Sequence, residues 1–210
     1  MTRVLLAEDE QLVREGIRGL LGSTEDVSVV AIASTGAEAL EQVHRSDPDI
    51  LLLDLDMSSM SGMDVLHQLK TEGLGVRVIV LTSYAETEYA LRALKMGVWG
   101  YLRKVVSFDE LLEAVRTVAG GKRYITAEVA SVLADNVYGS SQEPHMELSD
   151  REYEVFRLLV EGLSVSEISD YLNLAGSTVG TYRHRILEKL GLKSTTDLVH
   201  YAVRHNLFHM

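Results

Sequence analysis

At 210 residues with 46% hydrophobic side chains, the chain is long for one domain and sufficient for two, each with its own core. It has no cysteine, which excludes disulfides, cysteine-ligated zinc and thiol nucleophiles and leaves carboxylates, histidines and hydroxyls to carry any chemistry. The net charge of −11 argues against a nucleic-acid partner only if it is evenly spread, and it is not: residues 1–146 hold 22 acidic and 13 basic side chains, residues 147–210 only 9 and 7.

From the start, short apolar runs at 4–7, 27–33, 50–54, 76–81 and 99–102 read as strands. They alternate with helical segments at 10–21, 36–46, 62–71, 86–96 and 107–119, in which apolar residues recur three or four apart, as in Leu111, Leu112, Val115 and Val118. Strands that are apolar throughout are buried on both faces, and βα alternation implies parallel pairing through right-handed crossovers. The expected first domain, 1–122, is therefore a doubly wound α/β fold with a five-stranded parallel sheet. No run of eighteen apolar residues occurs, and the opening Thr-Arg-Val-Leu-Leu-Ala lacks the layout of a secretion signal, so a soluble, cytoplasmic protein with no membrane partner is expected. Residues 123–147 read as a linker containing a helix at 126–137 and ending in the turn-rich Tyr138-Gly-Ser-Ser-Gln-Glu-Pro-His. Residues 148–210 then show four short helices, at 149–161, 165–172, 177–190 and 195–206, and no strand-like run, which makes a small all-α domain.

The polar residues of the first domain cluster where strands end: Glu8 and Asp9 after the first, Asp54 at the third, Thr82 after the fourth and Lys104 after the fifth. Open α/β sheets bind ligands at that edge. Three carboxylates meeting there repel one another and call for a divalent cation with oxygen ligands, Mg²⁺ or Mn²⁺. An aspartate can attack phosphorus to give an aspartyl phosphate, with a lysine ammonium and a hydroxyl holding the phosphoryl oxygens. For Asp54 taken alone, a turn residue at a strand end is an equally good reading; the combination favours chemistry.

These residues resemble the receiver domains of bacterial two-component response regulators, of flavodoxin-like fold, across residues 2 to 120. The resemblance rests on Leu-Leu-Ala-Glu8-Asp9, Leu-Leu-Leu-Asp54-Leu-Asp-Met, Met60-Ser-Gly62, Val-Leu-Thr82-Ser and Gly-Tyr101-Leu-Arg-Lys104. It implies that Asp54 is the phosphoacceptor and that Asp9 and Asp54 ligate Mg²⁺, with Glu8 beside them and the Asp56 backbone carbonyl completing the protein ligands. It also implies that Thr82 and Tyr101 switch together on phosphorylation. Two positions depart from the pattern: Ser58 stands where proline is usual and Val105 where aspartate is common.

In the second domain Ser149 with Glu152 is a helix-start signature. The following stretch reads helix, turn, helix, with Val179, Tyr182, Ile186 and Leu190 spaced to face a core. Between 176 and 193, Arg183, Arg185, Lys189 and Lys193 face Glu188 alone, a basic stripe inside an acidic chain. A solvated basic face is the bland alternative for such a cluster. Leu148-Ser-Asp-Arg-Glu, Glu-Ile-Ser-Asp-Tyr-Leu, Ser-Thr-Val and Leu-Glu-Lys-Leu-Gly-Leu-Lys-Ser resemble the LuxR-type helix-turn-helix of the NarL/FixJ subgroup. That likeness implies a phosphorylation-dependent transcription regulator, with Ser177, Thr178, Gly180, Thr181, Arg183, His184, Arg185 and Lys189 at promoter DNA. It further implies a homodimer on phosphorylation, formed through the last helix and set on an inverted repeat, with Leu198, Tyr201 and Ala202 as candidates for core or interface, and a sensor histidine kinase as phosphodonor. Ala175, where serine often caps the helix, and Gly180, where lysine is common, are departures. An adaptor that grips another protein and a phosphatase using Asp54 are the competing classes. Enzymatic turnover is not expected beyond self-phosphorylation and autodephosphorylation.

Overall fold

In a computed structural model, the described residues are 1–57, 59–83, 88–138, 143–205 and 207. The departure at Ser58, the start of the helix expected from 86, the linker residues 139–142 and the helix end expected at Asn206 lie outside them. Two compact units emerge, Met1–Leu133 and Ala134–Met210.

The first unit is a parallel sheet of β1 (Thr2–Ala7), β2 (Val27–Ala33), β3 (Ile50–Leu53), β4 (Arg77–Thr82), β5 (Gly100–Arg103) and β6 (Tyr124–Ile125), in the order β2-β1-β3-β4-β5-β6. The helices are α1 (Gln11–Gly22), α2 (Gly36–Ser46), α3 (Gly62–Glu72), α4 (Glu88–Met96), α5 (Phe108–Ala119) and α6 (Ala127–Tyr138), the division between the units falling inside the last. The order reverses between β1 and β3, the switch point at which α/β sheets open a crevice. Val4, Leu6, Ile50, Leu52, Ile79, Leu81 and Leu102 pack one face of the sheet against Ile17, Leu21 and the α5 residues Leu111, Leu112, Val115 and Val118. Buried β3, Ile-Leu-Leu-Leu, is the continuous apolar run that a strand covered on both faces requires.

The five-stranded expectation is corrected to six. Gly100 pairs with Tyr124 and Tyr101 with Ile125. A two-residue strand is too short to show periodicity, so the sequence reading absorbs it into the linker.

The second unit comprises a 3₁₀ turn (Pro144–Glu147) and helices α7 (Asp150–Val160), α8 (Val165–Tyr171), α9 (Gly176–Leu190) and α10 (Thr195–Arg204). Starts are set by side chains: Ser149 with Glu152, Ser164 with Glu167 and Ser194 with Asp197 form reciprocal capping boxes. Tyr153, Phe156, Ile168, Val179, Ile186, Leu198 and Tyr201 are among the residues buried between the helices.

Candidate functional site

The strand ends of the first unit are tied together by the backbone before any side chain acts. Glu8 N–H donates to Ala33 O, Asp54 N–H to Ala7 O and Lys104 N–H to Thr82 O, at 2.8–3.0 Å. These bonds bring the ends of β1, β3, β4 and β5 to one edge. There Lys104 Nζ donates to Glu8 Oε1 at 2.8 Å and to Asp54 Oδ2 at 2.9 Å, with Glu10 Oε1 at 3.4 Å. Asp54 Oδ1 accepts from the Asp56 N–H at 3.1 Å. Glu8, Asp54 and Thr82 are buried. Ligand oxygens of Glu8, Asp9 and Asp54 lie within 4.8 Å of one another.

Burial pushes the Asp54 carboxyl above its ordinary range, against the pull of Lys104 and the Asp56 N–H. Glu8 is raised for the same first reason, with the Asp54 charge adding to it. Burial works against the Lys104 ammonium too, but its bonds and charge interactions with Glu8 and Asp54 prevail and hold it above the usual lysine range. The pocket thus keeps a lysine charged and two carboxylates under strain from each other. The all-oxygen donor set fits a hard divalent cation of the Mg²⁺ class.

Two further contributors act on the backbone of the pocket. Arg14 Nη1 donates to the carbonyls of Glu8 and Asp9, at 2.6 and 2.9 Å, fixing the loop that presents both carboxylates. A Cβ at Gly62 would lie 2.3 Å from Asp54 O and 2.7 Å from Leu55 Cα, so the backbone behind Asp54 closes only over glycine. The Tyr101 ring is already inside, 1% exposed. Val105, where an aspartate is common, projects outward at 77% exposure.

In the second unit α9 shows an exposed face of Ser177, Thr181, His184 and Arg185, while Thr178, Gly180 and Arg183 are half-buried. Ser177, Thr178, Thr181, Tyr182 and Arg185 line one shallow depression. Arg183 Nε donates to Thr195 Oγ1 at 3.1 Å, which binds α9 to the start of α10. Ala175 makes no side-chain cap, so α9 begins without the bond its three neighbours have.

Lys189, exposed on α9, donates from Nζ to Glu152 Oε2 at 2.6 Å and Glu147 O at 3.2 Å. The buried Glu152 beside the α7 cap thus pairs with a lysine whose side chain is still 38% exposed. Leu198, Tyr201 and Ala202 are 0%, 8% and 1% exposed and pack in the core of their own unit. The face of α10 left to solvent carries Thr196, His200 and Val203, with Val199 half-buried.

Residues 4–116 match the response regulator receiver domain and residues 146–202 the luxR family of bacterial regulatory proteins. The chain is 33% identical over 209 residues to the response regulator UvrY of Escherichia coli strain K12, covering 99% of this chain and 96% of UvrY. It belongs to the response regulators of the NarL/FixJ type. A second relative, the response regulator GacA of Pseudomonas aeruginosa, is 34% identical over 209 residues, with 99% of this chain and 98% of GacA covered. Among solved structures, RcsB from Salmonella enterica serovar Typhimurium, bound to promoter rprA in the presence of a phosphomimetic, matches with a TM-score of 0.69. There the identity is 25%, with 96% of this chain and 98% of that one covered. This response regulator is accordingly a phosphoacceptor regulator of transcription with a LuxR-type DNA-binding domain, from a family that works with sensor kinases. Among its described residues no helix is long and apolar enough to cross a membrane.

Proposed function

We propose that Asp54 takes a phosphoryl group from a sensor histidine kinase, and that the phosphorylated chain pairs and binds promoter DNA. One observation carries this reading: Lys104 Nζ bridges two buried carboxylates, Glu8 and Asp54, beside the exposed-side Asp9. A carboxylate oxygen of Asp54 attacks phosphorus, the bond from phosphorus to the donor's imidazole nitrogen breaks, and the acyl phosphate remains on the chain. Lys104, relieved of part of the Asp54 charge, follows the charge onto a phosphoryl oxygen. Glu8, Asp9, Asp54 and the Asp56 carbonyl would hold Mg²⁺, which when bound supplies the positive charge that offsets carboxylates and phosphate together. The Thr82 hydroxyl bonds the new phosphoryl group, and the buried Tyr101 ring occupies the space that this movement vacates.

On the DNA side, Ser177, Thr178, Thr181, His184 and Arg185 approach the major groove while Arg183 holds α9 against α10. Gly180 leaves a gap in that surface. Pairing runs through Val199 and Val203 on α10, setting two α9 helices about 34–36 Å apart on an inverted repeat. The testing experiment is treatment of the full chain with a small acyl phosphate and Mg²⁺, followed by intact-mass measurement and peptide mapping. A single phosphoryl adduct on Asp54, absent from Asp54→Asn, is expected; an adduct that survives Asp54→Asn defeats the assignment.

A further inference from the structure

We propose that Glu143, His145 and His205 form a transition-metal site in the helical unit, of the kind that takes Zn²⁺. Glu143 precedes the 3₁₀ turn that Pro144 opens, and His205 closes α10, so the three ligands come from the two ends of the unit. One ligand atom of each lies within 4.8 Å of the other two. The Glu143 Oε2 to His205 Nδ1 distance is 3.2 Å. Ligands bound to zinc at ~2.0–2.1 Å in tetrahedral array stand about 3.4 Å apart, so this pair is already at bridging distance.

Tyr201 prepares both imidazoles. Its hydroxyl lies 3.0 Å from His145 Nδ1, the outer contact that fixes a ligand ring's tautomer, and its ring stacks on His205 at 4.2 Å between centroids and 29° between planes. An ion pair between Glu143 and His205 accounts for two of the three groups and, partly exposed, is worth little. His145, 2% exposed, brings a second imidazole within reach of the same pair. Two imidazoles and one carboxylate favour Zn²⁺, Ni²⁺ or Cu²⁺ over Mg²⁺ and Ca²⁺, which prefer oxygen, so this site and the acidic pocket of the receiver select different ions. A metal held here clamps the segment before α7 to the end of α10, the helix exposing Val203.

The test uses the full-length chain without an affinity tag, stripped with chelator and titrated with Co²⁺. The intense visible absorption of low-symmetry, nitrogen-ligated Co²⁺ is expected at one equivalent per chain, displaced by Zn²⁺ and unchanged in Asp54→Asn. Affinity should fall at least tenfold in His205→Asn and Glu143→Gln, partly exposed positions whose far-ultraviolet circular dichroism should stay native. Zn²⁺ should also raise the melting temperature of the wild type and leave His205→Asn unmoved. A missing band, a band that persists in His205→Asn, or one that disappears in Asp54→Asn would overturn the proposal.

Discussion

Lys104 is the residue on which the acidic pocket depends, because its single ammonium pairs with Glu8 and Asp54 at once. Replacing it by methionine leaves two buried carboxylates facing each other without their cation. The Lys104→Met chain should still fold, yet accept phosphate from a small donor at least ~100-fold more slowly, as expected for loss of a preorganised charge at a reacting group. Quenched-flow phosphorylation measures this, and an unchanged rate would contradict it. Gly62→Ala should cost about 1–3 kcal/mol in chemical denaturation, since the added carbon meets backbone rather than a flexible side chain. Asp54, Glu8 and Lys104 were legible in the sequence because residue type and strand-end position both mark them. Gly62 was legible too, as part of Met60-Ser-Gly62, whereas Arg14 bonds backbone carbonyls, and the sequence carries no sign of which backbone atom a side chain reaches.

Within the elements, periodicity located helices α7 to α10, and spacing alone left the α10 stripe open between core and interface. Leu198, Tyr201 and Ala202 define a stripe that the fold turns inward, leaving Val203 at 52% exposure on the opposite side. Leu198→Ala should therefore lower folding stability by about 2–5 kcal/mol. Val203→Asp should leave stability nearly untouched and weaken pairing on DNA, which analytical ultracentrifugation of the DNA complex would register. The recognition helix is undercapped. Ala175→Ser should add ~1 kcal/mol, and Gly180→Ala a similar amount, because a Cβ at 180 meets nothing within 4 Å. Glu152 links α9 to α7 through Lys189, a pair invisible to spacing because its members sit in separate helices. Burial opposes ionisation of Glu152, but Lys189 and the Ser149 donors outweigh it and hold its carboxyl below the usual range. A depressed carboxyl contributes stability above its unfolded value, about 4.3, and loses it as pH falls through the lower folded value. The stability gap between wild type and Glu152→Gln, read by urea titration, should be largest near neutrality and close as the solution is acidified below about pH 4.

At the scale of the molecule, the uneven charge proved more informative than its sum. The acidic excess belongs to the unit that holds the carboxylate pocket, and the basic side chains of α9 are Arg183, Arg185 and a Lys189 already paired with Glu152. With few cations on that face, salt dependence of DNA binding should be modest, and Gly180→Lys should steepen the slope of log affinity against log salt by about 1. The parallel sheet and the helical unit were readable from alternation and periodicity; the sixth strand and the 3₁₀ turn were not, since two and four residues complete no pattern. Control of DNA binding by Asp54 is the claim on which the rest depends. The most direct test measures promoter affinity of wild type and Asp54→Asn, each with and without acyl phosphate and Mg²⁺. Affinity should rise only for the wild type receiving both, whereas an equal rise in Asp54→Asn, or none in a wild type carrying the adduct, would contradict it.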